Sequence, residues 1–301
     1  MGLTSSGLLK RIWKMRIIYL FISPFFFLFI IFQLFPLIWS FVLSLHKWNG
    51  LSPMRFVGIE NYLYLFRDQM FMIALKNTLL YWLADIICII PLSLILASFL
   101  NNPWLKGRDS IQTVMFLPYV TATVAVGLVF YMIFDYNTGL INNIIVSLGF
   151  SPQPWLTSTR MSKLPVMMLT IWRVTPWYMI IIYSGLQSID PELYEAATID
   201  GAKPLQKLLY ITIPSIAPLL FFCFIILSIE SFRKFAEPYI LTGGGPGNSS
   251  MSLVQYLYNN GFTIFKLGYA SAIGYALTFL LLIVSGAQLK IMMSKPTAGS
   301  A

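Results

Sequence analysis

The chain has 301 residues, of which 57% are hydrophobic and only 10% charged. Soluble domains carry about 25% charged residues, so this composition cannot cover a water-facing globule and excludes a soluble enzyme. The net charge of +9 would suggest nucleic acid in a soluble protein; in a chain this apolar it reports which side of a membrane the basic residues occupy, and no nucleic-acid partner is expected.

Six apolar stretches follow in chain order, at 17–45, 73–100, 111–134, 164–186, 214–232 and 267–292. Each is long enough for a helix to cross the hydrocarbon, which takes roughly 20 residues, and helices satisfy their own backbone polar groups there. The expected architecture is therefore an all-α integral membrane protein with six transmembrane helices. Pro24, Pro36, Pro91, Pro118, Pro176 and Pro218 interrupt these stretches and predict kinks. The basic start at 1–16 runs into an apolar stretch too long for a signal peptide and without a small-residue cleavage site, so it reads as an uncleaved first span.

Basic residues are denser in the segment 1–16, in the second and fourth connections and in the last segment (Lys10, Arg11, Lys14, Arg16, Lys106, Arg108, Lys203, Lys207, Lys290 and Lys295). The opposite side holds Lys47, Arg55, Arg67, Arg160, Lys163 and Lys266. This bias predicts both termini in the cytoplasm. The organisation read from it is a cytoplasmic tail at 1–16, a first helix with an external loop at 17–72, a five-helix core at 73–292 and a cytoplasmic tail at 293–301. In the last span Gly268 with Ala272, and Ala270 with Gly274, make a small-residue stripe for a close helix contact, either internal or between subunits. Cys88 and Cys223 lie in apolar runs, so no disulfide framework is readable. His46 is the only histidine; neither a metal site nor a Ser–His–Asp set can be assembled around it.

The segment 188–214 does not suit a plain connector. Asp190 can cap a short helix beginning at Pro191, Glu192 and Glu195 suit its positive end, and Gly201 suits a left-handed stop. Leu193, Ala196 and Ala197 would form an apolar-to-small face fit for a cleft on another protein. With Asp200, Gly201 and the run Ile211, Thr212, Ile213, Pro214, this segment resembles the EAA loop of ABC importer membrane subunits. Phe56, Gly58, Glu60, Asn61 and Tyr62, and the run Leu241, Thr242, Gly243, Gly244, Gly245, Pro246, resemble carbohydrate-uptake permeases of the maltose first-subunit type.

The resemblance implies an ABC importer permease fold with a coupling helix, in which Glu195, Ala196, Ala197, Asp200 and Gly201 contact the ATPase; a solvated helix-terminal acid is the plain alternative for Glu195. It implies a bacterial cytoplasmic (inner) membrane location, a second permease subunit, a dimeric ABC ATPase and a periplasmic or lipid-anchored solute-binding protein. The chain itself is expected to hold no cofactor, ATP and Mg being bound by the partner ATPase. The glycine run has no P-loop lysine; it suits an external loop facing the binding protein or gating the mouth, or a connector.

Asp85, Arg173, Glu230, Arg233 and Lys234 fall in or at the ends of spans. A charge in the bilayer costs roughly 2.5–3.5 kcal/mol, so each needs a partner or a wet cavity. Continuing the resemblance without gaps, the sugar-contacting positions fall on Thr170, Arg173, Val174, Trp177, Leu227, Glu230, Ser231 and Lys234. Trp177 can offer an aromatic face, Thr170, Ser231 and Glu230 can bond hydroxyls, and Arg173 and Lys234 can grip a carboxylate. The expected substrate is an oligosaccharide, with a uronate-containing one suggested by the two cations. A pure ion-pair network such as Arg173 with Glu230 is the competing reading, and Trp177 can equally pack between helices. Permeases for another solute (a neutral sugar, a glycerol phosphate, a peptide) and an intramembrane enzyme are the alternatives for the whole chain.

Overall fold

The computed structural model describes residues 15–102 and 104–294. Lys10, Arg11, Lys14 and Lys295, used above for orientation, lie outside the described residues. The first span is α1 (Arg16–Phe29) and α2 (Phe35–Ser44), joined through a π-helical turn at Ile30–Leu34. Pro36 has no amide to bond the carbonyl of Phe32, and the widened turn lies directly before it. No residue of α1 is buried within the chain. The α2 half is tied to the last helix by the Tyr275 hydroxyl, which donates to the Leu37 carbonyl at 2.6 Å.

A two-stranded hairpin follows, β1 (His46–Lys47) with β2 (Arg55–Phe56), antiparallel, pairing His46 with Phe56. Helix α3 (Glu60–Leu65) is held to it by Asn61, whose amide donates to the carbonyls of Ser44 and His46. The second span, α4 (Gln69–Leu100), begins upstream of the apolar stretch because the Asp68 carboxylate caps it, accepting from the Met70 amide at 2.9 Å. The division drawn at 72/73 thus falls inside this helix. Burial acts to raise the Asp68 carboxyl, but bonds from the Tyr256 and Tyr269 hydroxyls and two backbone amides outweigh it and hold it below the usual carboxylate range.

The third stretch is not one straight helix. It divides into α5 (Arg108–Val120) and α6 (Thr123–Ile133), bent by 90°. Thr121 and Ala122 have ψ of 141° and 125°, which ends the helical turn shortly after Pro118 removes one of its amides. Helix α7 (Leu140–Ser147) leads to α8 (Lys163–Leu186). Then come α9 (Pro191–Ile199), α10 (Pro204–Lys207), a π-helical turn at Leu208–Thr212, α11 (Ile213–Ser215) and α12 (Ala217–Phe232). The fifth span is bent by 74° at Ile216, where Pro218 restarts the helix within its first turn. Helices α13 (Ala236–Thr242), α14 (Leu253–Tyr258) and α15 (Leu267–Ser294) complete the chain. Among the described residues four helices are long and apolar enough to span alone, and six spans result if each bent pair is one.

Helices α4, α8 and α12 form the packed centre, where Ile89, Ala97, Tyr178, Met179, Ile182 and Leu227 are buried together. Lipid is as apolar as these side chains, so close packing and hydrogen bonds hold the spans together. The small-residue stripe of α15 serves an internal contact: a Cβ on Gly268 would sit 1.9 Å from the His46 carbonyl oxygen. The glycine run after α13 is likewise stitched down. Asn77 donates to the carbonyls of Asn248 and Met251, Tyr81 donates to that of Ser250 at 2.7 Å, and the Thr78 hydroxyl accepts from the Leu253 amide. Gly243, Gly244 and Gly247 have φ of 59°, 88° and 56°, so glycine there permits a fold of the loop that other residues strain to adopt.

Candidate functional site

A cavity of about 410 Å³ opens between α4, α8, α12 and α13. Thr170, Arg173 and Val174 reach it from α8, Leu227, Glu230 and Ser231 from α12, and Lys234 from the turn after α12. Seven of the eight positions singled out in the sequence therefore share one wall. Trp177 is the exception. Its ring stacks on Tyr119 at 4.9 Å between centroids and packs against the central core; Tyr119 and Phe235 supply the aromatic surface of the cavity.

Four of the six charges that line the cavity are arranged in two pairs. Asp85 and Lys234 are both buried, their side chains 1% and 3% exposed, with Lys234 Nζ at 2.8 and 3.0 Å from the two carboxylate oxygens. Ser231 donates to the same carboxylate, Lys234 also donates to Thr170 Oγ1 at 3.1 Å, and the ammonium lies 5.1 Å from the centre of the Tyr81 ring. Asp85 and Tyr81 meet Lys234 together because they stand one helical turn apart on α4. The pair offsets the desolvation that either charge alone would suffer.

Arg173 does not pair with Glu230. Its Nη2 lies 3.3 Å from Glu237 Oε1, and its Nε is buried without a hydrogen-bond partner. Glu230 instead accepts from the Tyr178 hydroxyl at 2.8 Å. Arg233 and Lys234 lie beyond the end of α12. Helix α12 ends at Phe232, and Arg233 turns out with φ −91° and ψ 8°. That turn swings Lys234 back toward α4 and lets α13 start, with Glu237 in its first turn.

The segment before α12 builds a second candidate surface. Asp190 Oδ1 accepts from the Glu192 amide at 3.0 Å and Pro191 opens α9. The helix closes with Gly201 at φ 74°, its amide bonded to the Thr198 carbonyl and that of Ala202 to Ala197 at 2.9 Å. This is the six-to-one and five-to-two pattern of a Schellman stop. Tyr194 anchors the helix by a 2.9 Å bond to Thr212, while Glu195, Ala196, Asp200 and Gly201 are exposed and Ala197 is half-buried. Ile199 is 88% exposed and Tyr210 77%, apolar surface that water disfavours.

Residues 89–291 match the family model described as the binding-protein-dependent transport system inner membrane component. The chain belongs to this family. Among relatives, the arabinooligosaccharides transport system permease of Bacillus subtilis (strain 168) is 38% identical over 275 residues, covering 91% of this chain and 87% of that protein. The lactose transport system permease of Rhizobium radiobacter is 34% identical over 290 residues, 95% of this chain and 96% of that one. A bacterial alginate ABC transporter, solved in complex with alginate pentasaccharide-bound periplasmic protein, contains a chain that superposes with a TM-score of 0.83 at 24% identity, covering 97% of this chain and 99% of that chain. The fold is thus that of an ABC importer permease. The chain is an inner-membrane, multi-pass transport component and not an enzyme.

Reading the sequence alone missed Glu237, Tyr119, Phe235 and the partner of Lys234. Asp85 stood out as an intramembrane charge, and opposite sign with Lys234 was the available signal. Glu237 was hidden by its place just beyond the fifth apolar stretch, beside Pro238.

Proposed function

We propose that this chain is a permease subunit of an ATP-driven importer for oligosaccharides and that the cavity between α4, α8, α12 and α13 is where the sugar passes. The observation carrying this is the convergence of Thr170, Arg173, Glu230 and Ser231 with Tyr119 and Phe235 on one membrane-embedded cavity. Hydroxyl-bonding groups beside aromatic faces suit a sugar ring. The relatives named for arabinooligosaccharides and lactose support the same substrate class.

In this reading both termini and α9 face the cytoplasm. The exposed surface of α9 around Glu195, Ala196, Ala197, Asp200 and Gly201 docks on an ABC ATPase dimer, which binds Mg-ATP; this chain holds no cofactor. A second permease subunit completes the pathway, and an extracytoplasmic solute-binding protein delivers the sugar. Closure of the ATPase pulls α9, and the bend at Ile216 converts that pull into movement of α12 against α8. The cavity wall shared by those two helices then opens alternately to either side.

Reconstitution of the chain with its ATPase, second permease and binding protein in proteoliposomes tests this. ATP-dependent uptake of a neutral oligosaccharide, with ATP hydrolysis stimulated by the loaded binding protein, is the expected result. Stimulated hydrolysis without sugar uptake across a panel of oligosaccharides overturns the substrate class. Wild-type uptake and hydrolysis in Glu195→Ala and Gly201→Asp overturn the role of α9.

A further inference from the structure

We propose that Glu237 determines substrate charge: its pairing with Arg173 makes the cavity select neutral over acidic oligosaccharides. The inference rests on the reading of the cavity as the sugar site. The cavity wall carries Arg173, Arg233 and Lys234 against Asp85, Glu230 and Glu237, so its formal charges cancel. Lys234 is held by both oxygens of Asp85, and its buried ammonium already makes the contacts a substrate carboxylate would need. Of the other two cations, Arg233 is exposed at the turn after α12, and Arg173, on α8, is covered by Glu237.

The covering is incomplete in an informative way. A guanidinium grips a carboxylate best through two parallel N–H groups. Glu237 takes only the Nη2 of Arg173, at 3.3 Å, and leaves the neighbouring buried Nε without a partner. An arriving uronate would have to displace Glu237 to take that fork, beside Glu230 on the same wall, and like charges repel strongly where water is scarce. A neutral sugar meets no such opposition. Its hydroxyls can donate to Glu237 or Glu230 on the cavity wall, and Tyr119 or Phe235 can cover the ring. Because Glu237 sits on α13 and Arg173 on α8, neutralising the first leaves the second in place without its counter-charge.

The test measures binding to the assembled transporter in nanodiscs without its binding protein, which would otherwise impose its own selection. The neutral probes are arabinotriose and maltotriose, and the acidic probe is trigalacturonate. Wild type is expected to bind at least one neutral probe tenfold or more tighter than trigalacturonate. Glu237→Gln, nearly isosteric, is expected to move that ratio at least tenfold toward trigalacturonate, and adding Arg173→Gln is expected to abolish the gain. An unchanged ratio in Glu237→Gln with neutral binding intact overturns the proposal. So does a wild type that prefers trigalacturonate. Neutral uptake through the complete transporter that is unaffected by every cavity substitution overturns the reading of the cavity itself.

Discussion

Replacing Asp85 with Asn removes the carboxylate that compensates Lys234 deep in the bundle. The two side chains are 1% and 3% exposed and joined at 2.8 and 3.0 Å. Asn at 85 offers the ammonium one neutral carbonyl oxygen in place of the carboxylate, beside Thr170 Oγ1 at 3.1 Å and the Tyr81 ring at 5.1 Å. Removing one partner of such a buried pair costs roughly 3–5 kcal/mol, whereas replacing both by apolar groups is often neutral. At about 2 °C per kcal/mol for a chain of this size, Asp85→Asn should lower the Tm by about 6 °C or more. Lys234→Met should also lower it, since Asp85 is then left with Ser231 alone. The assay is thermal unfolding of purified transporter carrying each single substitution and the pair Asp85→Asn/Lys234→Met. The double variant should recover at least half of the larger single loss, because it leaves no uncompensated charge. Losses that simply add, or singles indistinguishable from wild type, would refute the reasoning.

Other substitutions probe different parts of the molecule. Gly201, at φ 74°, should tolerate Asn, whereas Gly201→Val adds roughly 1–2 kcal/mol of strain and should uncouple ATP hydrolysis from uptake while assembly persists. Tyr178→Phe removes the donor to Glu230; the expected result is a KM for uptake raised about three- to tenfold, with subunit assembly unchanged. Asn77→Ala frees two carbonyls of the glycine-rich loop, and the amides of 243–251 should exchange with solvent faster by tenfold or more, equivalent to about 1.4 kcal/mol. For Asp68, a carboxyl held below its ordinary 3.8 stabilises the fold fully above that pH and loses the effect as pH falls through the lower folded value. Unfolding of wild type in detergent between pH 5 and 2 should therefore steepen at the acid end, and Asp68→Asn should flatten that dependence.

The spans were legible because an apolar run must be a helix in lipid, whatever else it does. The two sharp bends were less so: Pro118 and Pro218 marked the places, but a proline only removes one amide, and the bend angle is set by how α6 and α12 pack. The short helix α9 could be read almost to the residue, since Asp190, Pro191 and Gly201 act locally as cap, first turn and stop. The cavity was legible as a set of positions because α8 and α12 are regular there. Its chemistry was not, because the partners come from elsewhere. Asp85 stands on α4, and Glu237 lies beyond the point where α12 stops. The competing reading, an ion pair between Arg173 and Glu230, assumes two helices running on regularly. The chain instead turns at Arg233, and that turn decides which charges meet. Trp177 was chosen for its aromatic face, but Tyr119, brought in by the bent third span, covers it.

The central claim is that sugar crosses through the cavity between α8 and α12. Glu230 is exposed to that cavity of about 410 Å³, so Glu230→Trp fills part of it with little demand on the packed core. Sugar uptake and ATP hydrolysis should be measured side by side in proteoliposomes holding the complete transporter. The account predicts that uptake falls at least tenfold while hydrolysis stimulated by the binding protein persists. Uptake at the wild-type rate through the Glu230→Trp transporter would contradict it.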